Sequence, residues 1–499
     1  MNSRLAFWGP PVASALLMLG AFAPFDFSLL VFVALVPWLR SLADGDGKRA
    51  LKSGFVFGVV YMGGQMLWLQ PFVSRWTGST LLGTIPWVLG SAFAALAYAG
   101  LGWAVHACWK QQRPWLIPVV WAGVEVLRSY TLVIAFPWAL AATPLWHLTP
   151  MIQTAHYGTV YAVSAWVLLA NVIGARFVRG DGMMALRPGA MAFMALLALS
   201  LVRYATPQEG TLTTITVGQP GVDLAFGNPA TQDADLALAV GELTLAAAAQ
   251  NSRLLVLPEG VSSGVGYPPT PPFEVVRDVP VLFGGQRGTG DAAYQTAFAY
   301  DGDWTYADKT RLVIFGEFVP LRGVLPFLDA FDVPSGDLVP AAEVKTVEVA
   351  GLRVGPMLCF EGLFYDIAFK QAENGAQLIA VMSIDDWYMG TNAPDQLRAA
   401  APFRAIEAGV PLVRAAATGY SLATDARGDL VAMAPLGKQV ATTVRLKVPD
   451  KADVFPGLPV FPWFAALSLP AVVLWRWRKP VAEPVPVAPK SKKKAKRKP

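Results

Sequence analysis

The chain has 499 residues, 54% of them hydrophobic and 15% charged, with a mean hydropathy of +0.43. A soluble domain carries roughly a quarter charged residues, so this composition excludes disorder, a fibrous repeat and a purely cytosolic enzyme of this length. The net charge is +5, but residues 479–499 hold eight Lys/Arg against Glu483, a balance of +7 that leaves −2 for the rest; the basic pI marks a tail and not a nucleic-acid-binding face.

Residues 1–203 carry 13 Lys/Arg and 5 Asp/Glu, most of them between long apolar runs. A helix needs about 20 mostly apolar residues to cross the hydrocarbon core. Candidate spans lie near 6–23, 26–42, 53–72, 80–107, 115–130, 156–175 and 186–203, with an eighth near 457–475. The first run has no small-residue cleavage site and more spans follow it, so it reads as a span and not as a cleaved signal. The fifth carries Glu125 and Arg128, three apart on one helix face and so spaced to pair with each other.

Positive charge concentrates in alternate loops: Arg40, Lys48, Arg49 and Lys52, then Lys110 and Arg113, then Arg176, Arg179 and Arg187. The loops between them hold Arg75 alone or no basic residue outside the spans. The positive-inside rule then predicts a cytoplasmic N-terminus, residues 204–455 on the far side, and a cytoplasmic Lys-rich tail. This divides the chain into a seven-span transmembrane domain (1–203), a periplasmic catalytic domain (204–455), a final span (456–478) and a basic tail (479–499).

Residues 204–455 read as alternating strands and helices. Strands are predicted at Thr211–Gly218, at Arg253–Pro258 ending on Glu259, at Val279–Gly284 and at Ala293–Tyr300, with a helix at 232–250. Lys345–Val349 and Leu352–Leu358 form a hairpin turning at Ala350-Gly351, and its second strand runs into Cys359. A helix near 363–374, a strand at Gln377–Ser383, a helix at 393–408 and strands at 411–416, 420–424 and 429–433 complete the pattern. Such a pattern predicts helices layered on mixed sheets.

Three residues in this domain can carry chemistry together. Alone, Glu259 reads as a capping residue, Lys309 as a solvated one and Cys359 as a small buried hydrophobe. Cys359 has no local disulfide partner in a compartment that oxidises thiols, and a lone thiol there needs a reason. Acyl transfer by a thiol needs a nucleophile, a proton acceptor and a cation where the carbonyl oxygen becomes an oxyanion. Cys359, Glu259 and Lys309 supply these in turn, with the lysine also lowering the thiol pKa. Histidine is the usual base, but His106, His147 and His156 all lie in the membrane half, which argues against a Cys–His enzyme.

The order Glu259 in LPE, Lys309 in K-x-x-L-V-x-F-G-E-F-V-P and Cys359 in C-x-E resembles the nitrilase superfamily. Placed behind seven predicted spans, it resembles the superfamily's membrane branch, apolipoprotein N-acyltransferase. Trp121, Glu125, Arg128, Phe136-Pro137-Trp138 and Gln153 in the membrane half, and Asp385 and Arg404-Ala405-Ile406-Glu407 in the soluble half, extend the likeness to nearly the whole chain. The resemblance implies an αββα sandwich on a polytopic α-helical membrane domain of about eight spans, in a bacterial inner membrane. It implies transfer of a fatty acyl chain from a phospholipid to the α-amine of an apolipoprotein's N-terminal diacylglyceryl-cysteine, without cofactor, metal or nucleic-acid partner. It also implies Cys359 as nucleophile, Glu259 as base, Lys309 as oxyanion stabiliser, Glu317 and Glu361 as supporting carboxylates, and Phe360 and Trp387 near the substrate entrance.

The chain departs from the family pattern at Phe360, commonly Tyr, and at Arg311 and Ile314, commonly His and Pro. Ile384 and Thr418 stand where Asn is usual, and Phe226 where Trp is usual. Two other readings share parts of the sequence. A membrane-tethered nitrilase-type amidase would use the same three residues with water as acceptor. A transporter or scaffold with an inert external domain fits less well, because charges within the spans are scarce and the Glu–Lys–Cys set is complete.

Overall fold

In a computed structural model of the chain, the structure describes residues 3–131, 135–262, 264–269, 279–289, 292–320, 322 and 337–475. The basic tail lies outside the described residues.

Each apolar run forms a helix or part of one. The first half comprises α1 (Ser3–Ala21), α2 (Val36–Leu42), α3 (Gly47–Gln65), α4 (Leu69–Thr77), α5 (Thr80–Lys110), α6 (Ile117–Tyr130), α7 (Ala155–Val178) and α8 (Met183–Ala205). Among the described residues, α5, α7 and α8 are each long and apolar enough to cross a membrane, and α3 with α4, bent by 55°, makes a fourth candidate. The run at 26–42 is not one helix: a 3-10 turn at Ser28–Phe32 precedes α2, which restarts at Pro37, a residue with no N–H to continue a ladder. Helices α3 and α5 touch backbone to backbone, since a Cβ on Gly54 would lie 2.2 Å from the Tyr98 carbonyl oxygen. Around this contact Trp38 stacks on Phe57 at 4.1 Å, with Tyr61, Tyr98 and Trp121 packed at their edges.

Glu125 and Arg128 do not pair. Glu125 accepts instead from Trp121 Nε1 at 2.9 Å and from the Ala141 amide at 2.8 Å, while Arg128 donates to the Phe136 carbonyl. Buried indole and backbone donors both bond Glu125 Oε1, and both members of the expected ion pair brace the segment after α6.

The α/β half begins with β1 (Thr211–Gln219), α9 (Gln232–Ala249), β2 (Leu254–Val256), β3 (Val281–Thr289), β4 (Ala292–Tyr300) and β5 (Trp304–Asp308). It continues through β6 (Val347–Val349), β7 (Leu352–Leu358), α10 (Tyr365–Glu373), β8 (Leu378–Ser383), α11 (Ala393–Arg398), α12 (Ala401–Ala408) and β9 (Leu412–Ala416). Strands β10 (Leu422–Thr424), β11 (Leu430–Met433) and β12 (Val440–Val448) close it, and α13 (Val460–Trp475) returns to the first half. Two six-stranded sheets form, in the orders β12-β1-β2-β3-β4-β5 and β11-β10-β9-β8-β7-β6. The hairpin turn expected at Ala350-Gly351 is present, with φ of +57° and +64°.

Strand alternation distributes the core. Leu254 and Val256 face the second sheet's Val354, Ala380 and Met382, whereas Leu255 and Leu257 face α9 through Val240 and Leu243. On the outer side of the second sheet, Ile379 and Val381 join Phe364, Phe369 and Ile406 in one apolar cluster that continues into α6 and α7. The result is an αββα sandwich with one helix layer, α10 and α12, forming the seam with the membrane half. At that seam α7 is broken at Gly158 and Thr159, the latter at φ +66°. The freed Val160 amide donates to Glu407 Oε1 at 2.7 Å, and Glu407 Oε2 accepts from Arg404 Nε at 2.6 Å.

Candidate active site

The three residues singled out by their chemistry arrive from three strand ends. Leu257 and Pro258 extend β2 alongside β3, bonded through Leu257 N to Leu282 O and Gly284 N to Pro258 O, and Glu259 follows. Gly284 is needed there, because a Cβ would come 2.7 Å from the Glu259 Cα. Lys309 follows β5 and is tied to β4 by its amide, which donates to Gln295 O at 2.8 Å. Cys359 follows β7 with φ +48°, a left-handed conformation that turns the chain sharply out of the sheet into the 3-10 turn Cys359–Leu363. A non-glycine residue held there stores of order 1–3 kcal/mol, and such strain concentrates at functional sites.

Lys309 is the hub. Its side chain is fully buried, with Nζ 2.5 Å from Glu317 Oε1 and 3.6 Å from Glu259 Oε1. Burial alone would depress its pKa, but Glu259, Glu317, Cys359 and Glu361 together hold the ammonium well above the ordinary lysine value. Glu317 spends its other oxygen on the Val313 amide at 2.8 Å, which fixes the loop carrying it. Glu361 locks the lysine segment to the nucleophile turn: Oε1 accepts from Thr310 N, Thr310 Oγ1 and Arg311 N, and Oε2 accepts from Leu358 N. Both carboxylates, expected as supporting residues, thus touch the lysine or the segments beside it.

Glu259 differs from them. Burial raises its carboxyl to about 7, offset in part by Lys309 and reinforced by Glu317 and Glu361. Among the described residues no group donates a hydrogen bond to its buried Oε1. A carboxylate with a free acceptor and a pKa near neutrality is matched to taking and returning a proton.

Cys359 is half-buried, not exposed. Burial, then the Glu259 charge, push its thiol up to about 12, while Lys309 and a hydrogen bond with Ser383 pull the other way. The lysine acts in the expected direction, but burial outweighs it, so the resting group is a thiol and the thiolate forms only by losing a proton to a nearby base. The Ser383 contact follows from register: Leu358 lies opposite Met382 on parallel strands, so the next residues of both chains are neighbours. Ser383 Oγ is 2.7 Å from Asp385 Oδ1, and Asp385 is held by both terminal nitrogens of Arg414. Sequence reasoning noted Ser383 and Asp385 without this relay, and nothing in the sequence marks Arg414 as its anchor.

The two expected substrate residues do not share a wall. Phe360 lines a cleft of about 260 Å³ with Thr310, Arg311, Leu312 and Phe318, reaching Ala135 in the membrane half. Trp387 lines no part of it; its ring packs against Phe72 and Trp76 of α4 and against Phe226, at 5.4–6.0 Å between centroids. The aromatic contribution of α4 was missed, since a tryptophan in an apolar run has no signal separating a wall of a site from an interfacial anchor. Arg311 pairs with both oxygens of Asp366 at 2.9 and 3.0 Å and lies 4.1 Å over the Phe364 ring. Among the described residues, no three His, Cys, Asp or Glu side chains are grouped to hold a metal ion.

Residues 14–173 match the family described as apolipoprotein N-acyltransferase N-terminal domain, and residues 215–448 match carbon-nitrogen hydrolase. An apolipoprotein N-acyltransferase of Geobacter metallireducens is 27% identical over 510 residues, covering 94% of this chain and 95% of the relative. One of Haemophilus influenzae is 24% identical over 470 residues, covering 88% of each. Among solved structures, Nit3 of Saccharomyces cerevisiae, a member of branch 10 of the nitrilase superfamily, aligns over 49% of this chain and 93% of its own at 19% identity, with a TM-score of 0.36.

Proposed function

The chain belongs to the apolipoprotein N-acyltransferase family of the nitrilase superfamily, and from that membership we propose how its residues carry out lipoprotein N-acylation. The observation that carries the reading is the convergence of Glu259, Lys309 and Cys359 next to a cleft, lined by Leu312, Phe318 and Phe360, that reaches Ala135 in the segment after α6. A phospholipid acyl chain leaves the bilayer at a cost of about 0.8 kcal/mol per CH₂, so a thiol that attacks it must work at the membrane face.

The reaction has two steps. Cys359 passes its proton to Glu259 as sulfur attacks the acyl ester carbonyl, and the Lys309 ammonium donates to the oxyanion. The tetrahedral intermediate collapses to a thioester, and the departing lysophospholipid oxygen takes the proton from Glu259. The α-amine of the diacylglyceryl-cysteine then attacks the thioester and loses a proton to Glu259. The sulfur leaves and is reprotonated, giving an amide and the free thiol. Glu317 and Glu361 hold Lys309 and the nucleophile turn, while Phe360 and Trp387 bound the approaches on two sides.

The membrane half is read as seven spans with α13 as the eighth, in a bacterial inner membrane. Residues 204–455 lie in the periplasm and both termini in the cytoplasm, supported by the Lys/Arg-rich loops at 40–52, 108–114 and 176–187. The experiment is intact-mass spectrometry of the full chain mixed with phospholipid and no amine. One acyl mass should appear on Cys359, be lost with hydroxylamine, and move to the α-amine of an added lipopeptide. A stable adduct on Cys359→Ala, or steady fatty-acid release without lipopeptide acylation, would replace this reading with the amidase that uses water.

A further inference from the structure

Among the described residues, β11 pairs with β10 alone and forms the outer edge of the second sheet. Its four residues, Leu-Val-Ala-Met, carry no charge. Three of them are large and apolar, and Leu430 is 43%, Val431 46% and Met433 36% exposed. An exposed apolar edge recruits a partner unless something shields it, because open backbone groups and apolar side chains act together.

Register decides which way the strand faces. Met433 lies opposite Leu422 and Leu430 opposite Thr424, while Ala432 lies opposite Ala423. Directly opposed side chains share a face. Leu422 belongs to the apolar cluster that continues into α6 and α7, whereas Ala423 belongs to the core between the sheets. Leu430 and Met433 therefore point to the membrane side. Val431 is the extra residue of a bulge, since the register shifts between Ala423 and Thr424. On the membrane side α12 covers β9 and β10, and β11 lies beyond it.

Both ends of the strand are tied to the membrane half. Asp429, just before it, accepts from Thr149 in the turn ahead of α7, and from Tyr204 Oη in the last turn of α8 at 2.8 Å. At the far end, Arg398 reaches Met433 Sδ at 3.6 Å and lies 4.9 Å over the ring of Trp146, in the connection between α6 and α7. The strand thus runs along the rim of the helical half instead of rising away from it. Leu201 of α8, 47% exposed, precedes Tyr204 by three residues on the same helix face, so an apolar surface leads up to the strand. The backbone limits the depth. Ala434 N donates to Ser421 O, and antiparallel alternation then turns the Met433 N–H and C=O away from β10. Open backbone groups are excluded from hydrocarbon but not from the hydrated headgroup layer.

We propose that β11 is a membrane contact, with Leu430, Val431 and Met433 seated in the headgroup layer of the bilayer that α8 crosses. The partner is the lipid surface itself, zwitterionic lipid included, and the strand holds the free edge of the second sheet against it. The contact rests on α8 being a membrane span.

The test uses the full chain with Cys108→Ala and Cys359→Ala, given one new cysteine as Val431→Cys and labelled there with a nitrobenzoxadiazole fluorophore. It is reconstituted in phosphatidylcholine vesicles in which some lipid carries a spin-label quencher, on the headgroup or deep in the acyl chain. Met194→Cys on α8 and Leu245→Cys on α9, both at exposed positions, mark the extremes. Helix α9 packs on the other sheet, about 20 Å from the second sheet at ~10 Å per layer. Headgroup labels should quench Val431 and leave Leu245 untouched, and acyl-chain labels should quench Met194 but not Val431. Leu430→Asp with Met433→Asp should lower the quenching at Val431, and quenching indifferent to that pair would mean proximity without seating. Aqueous iodide quenching Val431 as fully as Leu245 would show a strand open to water. A label shielded from iodide yet untouched by either lipid quencher would show a protein cover, a second copy or another chain. Acyl-chain quenching of Val431 would put the edge in hydrocarbon. Each of these four results overturns the proposal. Met194 untouched by acyl-chain labels would instead refute the span, and the contact with it.

Discussion

Glu317→Gln separates charge from position at the lysine hub. Contacts of 2.5 and 3.6 Å to one Nζ place the Glu317 and Glu259 oxygens no more than about 6 Å apart. At an effective dielectric of ~20, two unit charges at ~6 Å interact by roughly 2.8 kcal/mol, or about two pKa units. Glu317 raises the Glu259 pKa by this repulsion and also occupies the ammonium that would otherwise stabilise the Glu259 carboxylate alone. Glutamine removes both effects, so Glu259 should titrate about one to two units lower. The base is active when deprotonated, so the rate of thioester formation rises as pH passes its pKa, near 7 in the native chain. The assay is single-turnover thioester formation from a fluorescent phospholipid across a pH series. The variant's midpoint should move to acid even if its plateau falls. An unmoved midpoint, or one displaced to alkaline pH, would show that Glu259 is not the group whose ionisation gates attack.

Lys309→Arg should lower thioester formation by a factor on the order of 10²–10³ despite keeping the charge, because a planar fork cannot place one compact donor in a fully buried slot; near-normal turnover would refute the oxyanion role. Glu361→Gln turns an NH₂ group toward one of four donors now satisfied by the carboxylate, and should cost about 1–3 kcal/mol, read as a lower thermal midpoint in detergent. Glu407→Ala leaves Arg404 buried without its partner and should destabilise by about 3–5 kcal/mol in the same measurement; an unchanged midpoint would mean the seam carries no such load. A membrane-impermeant thiol reagent on intact spheroplasts should reach Cys359 in a Cys108→Ala background, and labelling only after the membrane is broken would invert the topology.

What was readable in the sequence follows from the range of the forces involved. Hydropathy integrates over a span's length, so all eight apolar runs correspond to helical segments, yet it is blind to breaks. The run at 393–408 is two helices because Pro402, at the start of α12, has no N–H for a continuous ladder. The break at Thr159 is held through the Val160 amide by Glu407, 247 residues beyond Val160, and no local pattern encodes that. Strands β5 and β12 escaped notice for a related reason: β12 is half-buried over its first four residues and owes its register to β1, far behind it in sequence. In the site, residue chemistry pointed to Glu259, Lys309 and Cys359 as a proton acceptor, a cation and a nucleophile, and the structure brings the three together. Spacing misled at Glu125 and Arg128, where two charges three apart found better partners in Trp121, Ala141 and Phe136.

The placement of α13 bears on how the molecule is assembled during synthesis. Its backbone lies against α6 so closely that a Cβ on Gly123 would meet the Ala465 carbonyl oxygen at 2.2 Å, and it also packs against α7. The ribosome makes α6 and α7 early and α13 more than 280 residues after α7 ends, with the entire sandwich translated in between. Until then α6 presents to lipid the flank that α13 will cover. The α6–α13 contact can therefore close only after every residue of the sandwich between them has been translated.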